Sequence, residues 1–331
     1  MRPNEPRPTC LAKVSATSVI TCEDGKKTIL WRDVDQPNMN DKFRRDHKTK
    51  VAYVSVHTDS DRVFSAGFDG DVGVHKLSDP NANPSDGSLD PFTGHYPAGT
   101  PDNQKPQVWV VIPSPNGSHA LSAENTGRIL YWEVASRTVK KEFFDAPARV
   151  AALAFVSPLN GLTRFLAGDE HGKMVLWAFS EADLTAAATK LDVPCGNPNS
   201  PVNTIAVTDD RNSAVSAGFD KIARVWNVEG ADPVQMKETP EQDDIIWRVA
   251  ISPDGRKFAT ASQDQTVRLF DMSNGNEFPV QPPGVDRRKN EPDGVMGVAF
   301  LSDTRIAYTA GKSSKPKHFE IWDVPLNWPP P

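Results

Sequence analysis

VSAGFDKIARVWNV, residues 215–228, decides the fold. Val215, Ser216 and Ala217 form a short apolar run that reads as a strand. Gly218, Phe219, Asp220 and Lys221 make a tight turn. From Ile222 to Val228 a second strand is expected, with Ile222, Arg224, Trp226 and Val228 on one side of the pleat and Ala223, Val225 and Asn227 on the other. Ser216 lies ten positions before Trp226, and Asp220 sits in the turn between them. A hydroxyl, a carboxylate and an indole N–H are thereby brought toward one end of a hairpin.

The pattern recurs along the chain. It is found as TCEDGKKTILW (21–31), SAGFDGDVGVH (65–75), SAENTGRILYW (122–132), AGDEHGKMVLW (167–177), SAGFDKIARVW (216–226), TASQDQTVRLF (260–270) and, with three extra residues in the turn, TAGKSSKPKHFEIW (309–322). Successive aromatic positions, with His75 in one of them, are 44, 57, 45, 49, 44 and 52 residues apart. Most units follow another apolar run, such as 51–56, 150–155, 202–207 and 295–300. A period of roughly 40–45 residues with four strands per unit is the mark of a propeller blade. A lone four-stranded sheet cannot bury both faces, whereas sheets stacked radially cover each other.

At this point the chain resembles the WD-repeat β-propeller family. The residues carrying the likeness are Trp226-Asn227, Phe270-Asp271 and Trp322-Asp323 at the Trp-Asp place, the turns SPNG (114–117) and SPDG (252–255), and Asp46-His47 and Gly94-His95 at the Gly-His place. The resemblance implies an all-β, seven-bladed propeller of four-stranded antiparallel blades. Residues 1–331 are expected to form one such unit, with blade cores near 9–45, 46–96, 107–146, 148–194, 200–240, 244–282 and 293–331. It also implies buried hydrogen-bond chains running from a histidine through a strand hydroxyl to the turn acid and the indole. Carried over, these are His47, Ser65 and Asp69 in the second blade, Ser216, Asp220 and Trp226 in the fifth, and Thr260 and Asp264 in the sixth. Gly25, Thr126 and His171 stand at the acid place of the first, third and fourth blades, and Asn197 stands where the fifth would have its histidine. The Ser/His/Asp grouping is read as a blade stabiliser, since a hydrolase reading would need those partners exposed.

Composition narrows the function. The formal charge of −6 leaves no general basic face for nucleic acid. No run approaches the ~18 apolar residues of a membrane span, and residues 1–8 are polar and Pro-rich, unlike a secretory signal. Cys10, Cys22 and Cys195 are odd in number and lack metal-ligand spacing. Structural thiols in a reducing, cytoplasmic compartment are expected. Both ends are Pro-rich, poor material for completing the last blade, so the propeller is also read as a domain of a longer protein.

An insertion at 78–107, rich in Pro, Asp, Asn and Gly, reads as a solvated loop or a partner-binding lid. Within it Asp79, Asn81, Asn83 and Asp90 occupy calcium-loop positions, although Pro84 replaces the glycine such a loop needs. DLTAAATK (183–190) reads as a short helical turn, and the charged run 286–291 as solvated surface.

The catalytic search finds no metalloprotease, nucleophile-elbow, phosphate-loop or dinucleotide motif. Residues before the turn acid (Phe68, Phe219, Gln263) and at the starts of the inner strands (Tyr53, Trp109, Trp247, Arg248) should crowd one rim of the channel. Aromatics and Arg dominate interface energetics. An exposed Phe in a turn has no evident folding role, so Phe68 and Phe219 are the sharpest candidates. The expectation is a non-catalytic scaffold with no cofactor, binding a protein or peptide at this rim. The alternatives are a channel-type propeller enzyme, such as a metal-dependent hydrolase or lactonase, and the sensor domain of a longer chain.

Overall fold

A computed structural model describes residues 8–23, 28–33, 42–45, 47–78, 92–145, 147–195, 197, 199–278, 294–309 and 320–324. Among these residues the strands fall into seven antiparallel sheets, each running in chain order. The first holds β1 (Pro8–Lys13), β2 (Ser18–Glu23), β3 (Thr28–Asp33) and β4 (Lys42–Arg45). The second holds β5 (Val51–His57), β6 (Arg62–Gly67) and β7 (Val72–Lys76), with Phe92 bridging to Val72 at its outer edge. The third is β8 (Val108–Pro113), β9 (His119–Glu124), β10 (Arg128–Glu133) and β11 (Thr138–Phe144). The fourth is β12 (Val150–Leu159), β13 (Leu162–Asp169), β14 (Met174–Phe179) and β15 (Thr189–Val193). The fifth is β16 (Val202–Val207), β17 (Ser213–Gly218), β18 (Arg224–Asn227) and β19 (Val234–Glu238). The sixth is β20 (Ile246–Ile251), β21 (Lys257–Ser262) and β22 (Val267–Asp271), with Glu277 bridging to Phe270. The seventh is β23 (Val298–Ser302), β24 (Arg305–Tyr308) and β25 (Glu320–Asp323).

Alternation along each strand builds the ring. In β10, Ile129 and Tyr131 pack toward the fourth sheet, while Leu130 and Trp132 pack toward the second. The same division puts an apolar core between every neighbouring pair of sheets. Val51 and Val54 meet Ile20 between the second and first sheets, and Trp226 meets Leu166 and Met174 between the fifth and fourth. Phe258 and Phe270 cover Val215 and Val225, and Tyr308 and Trp322 cover Val267 and Leu269. The last interface joins the chain's two ends: Val19, with Leu11 beside it, packs on Leu301, Ala307 and Ile321. Side-chain packing between β1–β2 and β23–β25 therefore closes the ring of seven. The outer strands are the polar ones, and β19 is exposed along its whole length.

Two expectations change here. Residues 183–190 contain no helix: the Asp183 carboxylate accepts the Thr185 and Ala186 N–H groups in a turn, and Thr189 and Lys190 already belong to β15. Cys10 and Cys22 are not free thiols. They face each other across β1 and β2 with Cα atoms 5.2 Å apart and are joined as a disulfide, while Cys195 stays free. The expectation of structural thiols is thereby corrected for this pair, and the cysteines no longer argue for a compartment. Asp79, Asn81, Asn83 and Asp90, and the run 286–291, lie outside the described residues.

The hydrogen-bond chains differ blade by blade. In the second, His47 Nδ1 lies 2.9 Å from Asp69 Oδ1 and Nε2 lies 2.9 Å from Ser65 Oγ, all three side chains being buried. In the fifth, Trp226 Nε1 donates to Ser216 Oγ at 2.9 Å. Asp220 does not join it. With no histidine to meet, it pairs with Arg224 four residues on. Asp264 in the sixth blade does the same with Arg268, while Thr260 pairs with Gln242 at 2.9 Å. The third blade carries a set the turn position hides: His95 Nε2 sits 2.7 Å from Ser122 Oγ, Trp132 Nε1 donates to the same oxygen at 3.1 Å, and Glu124 lies 3.5 Å from His95 Nδ1 in ion-pair contact without hydrogen-bond alignment. The acid there is at the end of β9, two residues before the usual turn place.

Two outcomes follow from this packing. Leu301, 2% exposed in the closing interface, should cost about 2–5 kcal/mol when changed to Ala. Leu191→Ala on the outer strand β15 should stay within about 0.5 kcal/mol, and urea midpoints compare the two. For Asp69, burial alone would raise the carboxyl, but the His47 contact and the Lys48 and Asp71 N–H groups outweigh it and hold it below 3.8. Its stabilisation is then full above that value and is lost as pH falls through the depressed one. Asp69→Asn should cost about 1–3 kcal/mol at neutral pH. That gap between wild type and variant should narrow in denaturant titrations run progressively further into acid.

Candidate functional site at the propeller rim

One backbone bond recurs in five blades and builds the rim. The residue after the second strand donates its N–H to the carbonyl of the residue just before the inner strand. The pairs are Phe68 to Lys50 (3.0 Å), Asn125 to Gln107 (3.0 Å), Glu170 to Arg149 (2.9 Å), Phe219 to Pro201 (3.0 Å) and Gln263 to Ile245 (2.8 Å). Each bond clips a turn to a strand entrance on the same end of the ring. Among the residues at these places, Lys50, Phe68, Arg149 and Phe219 face one shared space. In two blades the turn is the identical pentapeptide SAGFD, at 65–69 and 216–220, which puts Phe68 and Phe219 at matching positions.

These turns surround an open cavity of about 290 Å3. Phe68, Trp109, Phe219, Trp247 and Arg248 line it. Two expected residues stand just behind: Gln263 Oε1 accepts the Trp247 indole N–H at 2.8 Å, and the Tyr53 ring lies 5.1 Å beneath the Arg248 guanidinium carbon. The seven residues named from sequence thus gather at one mouth.

Phe68 and Phe219 are not freely exposed. Each is half-buried against the tryptophan of the following blade, Phe68 on Trp109 at 4.6 Å between ring centroids and Phe219 on Trp247 at 5.8 Å, edge to face. Such pairs contribute roughly 0.5–1.5 kcal/mol beyond buried area, so both rings have a packing role that single-blade reasoning cannot see.

The sequence reading missed Lys50, Arg149, Asn203 and Met296 in the cavity wall, with Ala52 and Ala151 between them. Lys50 and Arg149 each stand immediately before an inner strand, and that position is the signal that finds them. Arg149 stacks over Trp109 at 4.5 Å, and its Nε lies 3.7 Å from Glu170. The lining holds three cationic side chains and no Asp or Glu. Trp109 Nε1 is buried there without a hydrogen-bond partner among the described residues. Burial pushes the Arg248 guanidinium down from its usual value, the neighbouring Tyr53 acting the other way. Among the described residues no three His, Cys, Asp or Glu side chains converge as a metal site, and no helix is long and apolar enough to cross a membrane.

Comparison with known proteins matches the chain at 190–227 and 234–271 to the family described as WD domain, G-beta repeat. Each match runs from the outer strand of one sheet through the three inner strands of the next, β15–β18 and β19–β22. The chain is 31% identical over 136 residues to a guanine nucleotide-binding protein subunit beta of Zea mays, covering 41% of this chain and 34% of that protein. It is 30% identical over 173 residues to WD repeat-containing protein 18 of Danio rerio, covering 48% and 37%. WD repeat-containing protein 1 of Mus musculus is 23% identical over 227 residues, covering 67% and 34%. The matched regions therefore span about a third of these relatives' lengths. Two matched repeats lie inside a ring of seven such sheets, each built on the same strand–turn–strand unit, and repeats and fold together support a WD-repeat family.

Proposed function

We propose that residues 1–331 form one propeller that works as a non-catalytic scaffold and holds a protein or peptide partner at the rim cavity. The observation that carries this reading is the lining. Two Phe–Trp pairs from different blades, with arginine beside them, face a preformed open cavity. Aromatic and Arg side chains are the types that anchor interfaces, because they bury much area at low entropic cost. The wall has no carboxylate, histidine or cysteine to hold a metal or relay a proton, which disfavours the hydrolase alternative. The named relatives also support the reading. One is described as a subunit of a guanine nucleotide-binding protein, a description that belongs to that protein and implies assembly with other chains. A cytoplasmic setting and membership of a longer chain remain parts of this proposal.

The double variant Phe68→Ala with Phe219→Ala tests it. The two substitutions should leave a folded ring with a modestly lower thermal midpoint. Partner capture should fall by about tenfold or more, as loss of interface anchors worth over 1 kcal/mol each requires. Equal capture by wild type and a folded variant would move binding away from the rim.

A further inference from the structure

We propose that the rim cavity receives an acidic side chain of a partner peptide, its carboxylate paired with the Nε–Nη2 edge of Arg248 and its apolar flanks seated on the two Phe–Trp pairs. This rests on the rim reading above and names its ligand class.

Charge is the first ground. The chain carries −6 overall, yet three cationic side chains line the cavity; Arg149 is met by Glu170 outside the lining, at 3.7 Å, and Arg248 has no carboxylate within ion-pair distance among the described residues. The positive potential there is a matter of placement against the net charge. The second ground is the accounting of arginine donors. Arg164 gives four of its five N–H groups to the carbonyls of Ser157, Val228, Glu229 and Gly230. Arg224 meets Asp220 and Glu238, and Arg268 meets Asp264 and Asp243. Arg248 is different. Its Nη1 donates to the carbonyls of Trp247 at 2.9 Å and Asn203 at 3.4 Å, and among the described residues no carboxylate lies within ion-pair distance. The two carbonyls and the Tyr53 ring fix the guanidinium plane. Nε and Nη2 remain as a parallel pair of donors, the geometry a carboxylate accepts in bidentate fashion. Such a bond, made where water is partly excluded, is stronger than one at open surface.

Flanking chemistry follows from the same wall. Phe68, Trp109, Phe219 and Trp247 offer apolar surface in the same cavity, and the buried Trp109 N–H offers a donor to a ligand backbone carbonyl or a second acid. A basic ligand segment would instead bring like charge against Arg248.

The experiment is selection of a random displayed-peptide library on the whole chain, followed by titration of a synthetic peptide from the winners. The expected result is enrichment of Asp or Glu next to apolar residues. Changing the selected Glu to Gln in the peptide should weaken binding to wild type by about tenfold or more. Arg248→Gln should lose the acidic preference, and Arg248→Lys, which keeps charge without the fork, should fall between. The Gln peptide on wild type keeps the test decisive even if the Arg248 variants fold poorly. Winners that are neutral or basic, and that still need Phe68 and Phe219, would overturn the acidic assignment while leaving the rim reading intact. Stronger binding of a phosphoserine peptide than of its Glu counterpart would also overturn it, in favour of phosphate. Winners indifferent to Phe68, Phe219 and Arg248 would overturn both.

Discussion

A sheet whose strands carry apolar side chains on both faces has to be covered twice. That need governs this molecule more than any single bond. In β10, Tyr131 faces one neighbouring sheet and Trp132 the other, and both are fully buried. A sandwich would cover one face of each sheet and leave the other wet. Stacking the sheets side by side covers both faces of every interior one, but two terminal faces stay bare until the row bends round and meets itself. Val19 against Leu301 and Ala307 is that meeting. Everything at the rim depends on it, because the cavity has walls from several blades and exists only while the ring is closed.

Strand position and repeat period were legible because they are local. The ten-residue step from hydroxyl to indole is set by one turn and two strands, and seven copies in register leave few alternatives. Contacts between blades were not legible in the same way. The Phe68–Trp109 and Phe219–Trp247 pairs join residues 41 and 28 positions apart on different sheets, and no hairpin pattern encodes them. The cysteine count was misleading for a related reason. Cys10 and Cys22 read as an odd set with Cys195 until the register of β1 and β2 sets them opposite each other.

The turn acids show how local chemistry adapts when one partner is missing. Asp69 has His47 and is drawn inward, and two backbone N–H groups and an imidazole surround it. Asp220 and Asp264 have no such histidine, and each turns instead to an arginine four residues along its own hairpin. In the third blade the acid moves to Glu124 at the strand end, so a longer side chain reaches the same neighbourhood from a different start. A position-by-position transfer of the family pattern misses these exchanges, because what is kept is the satisfaction of a buried polar group.

The closing interface also sets an order of events. β1 and β2 are made almost three hundred residues before β23 to β25. Until then one face of the first sheet, with Val19 and Leu11 on it, has no native cover. Six interfaces form between sheets that follow each other in the chain, so their loop-closure cost is small. The seventh joins the most distant parts of the sequence and carries the highest contact order. Synthesis can thus build a curved row of blades progressively, while the ring itself, and with it the rim cavity, is completed only after the whole chain is available.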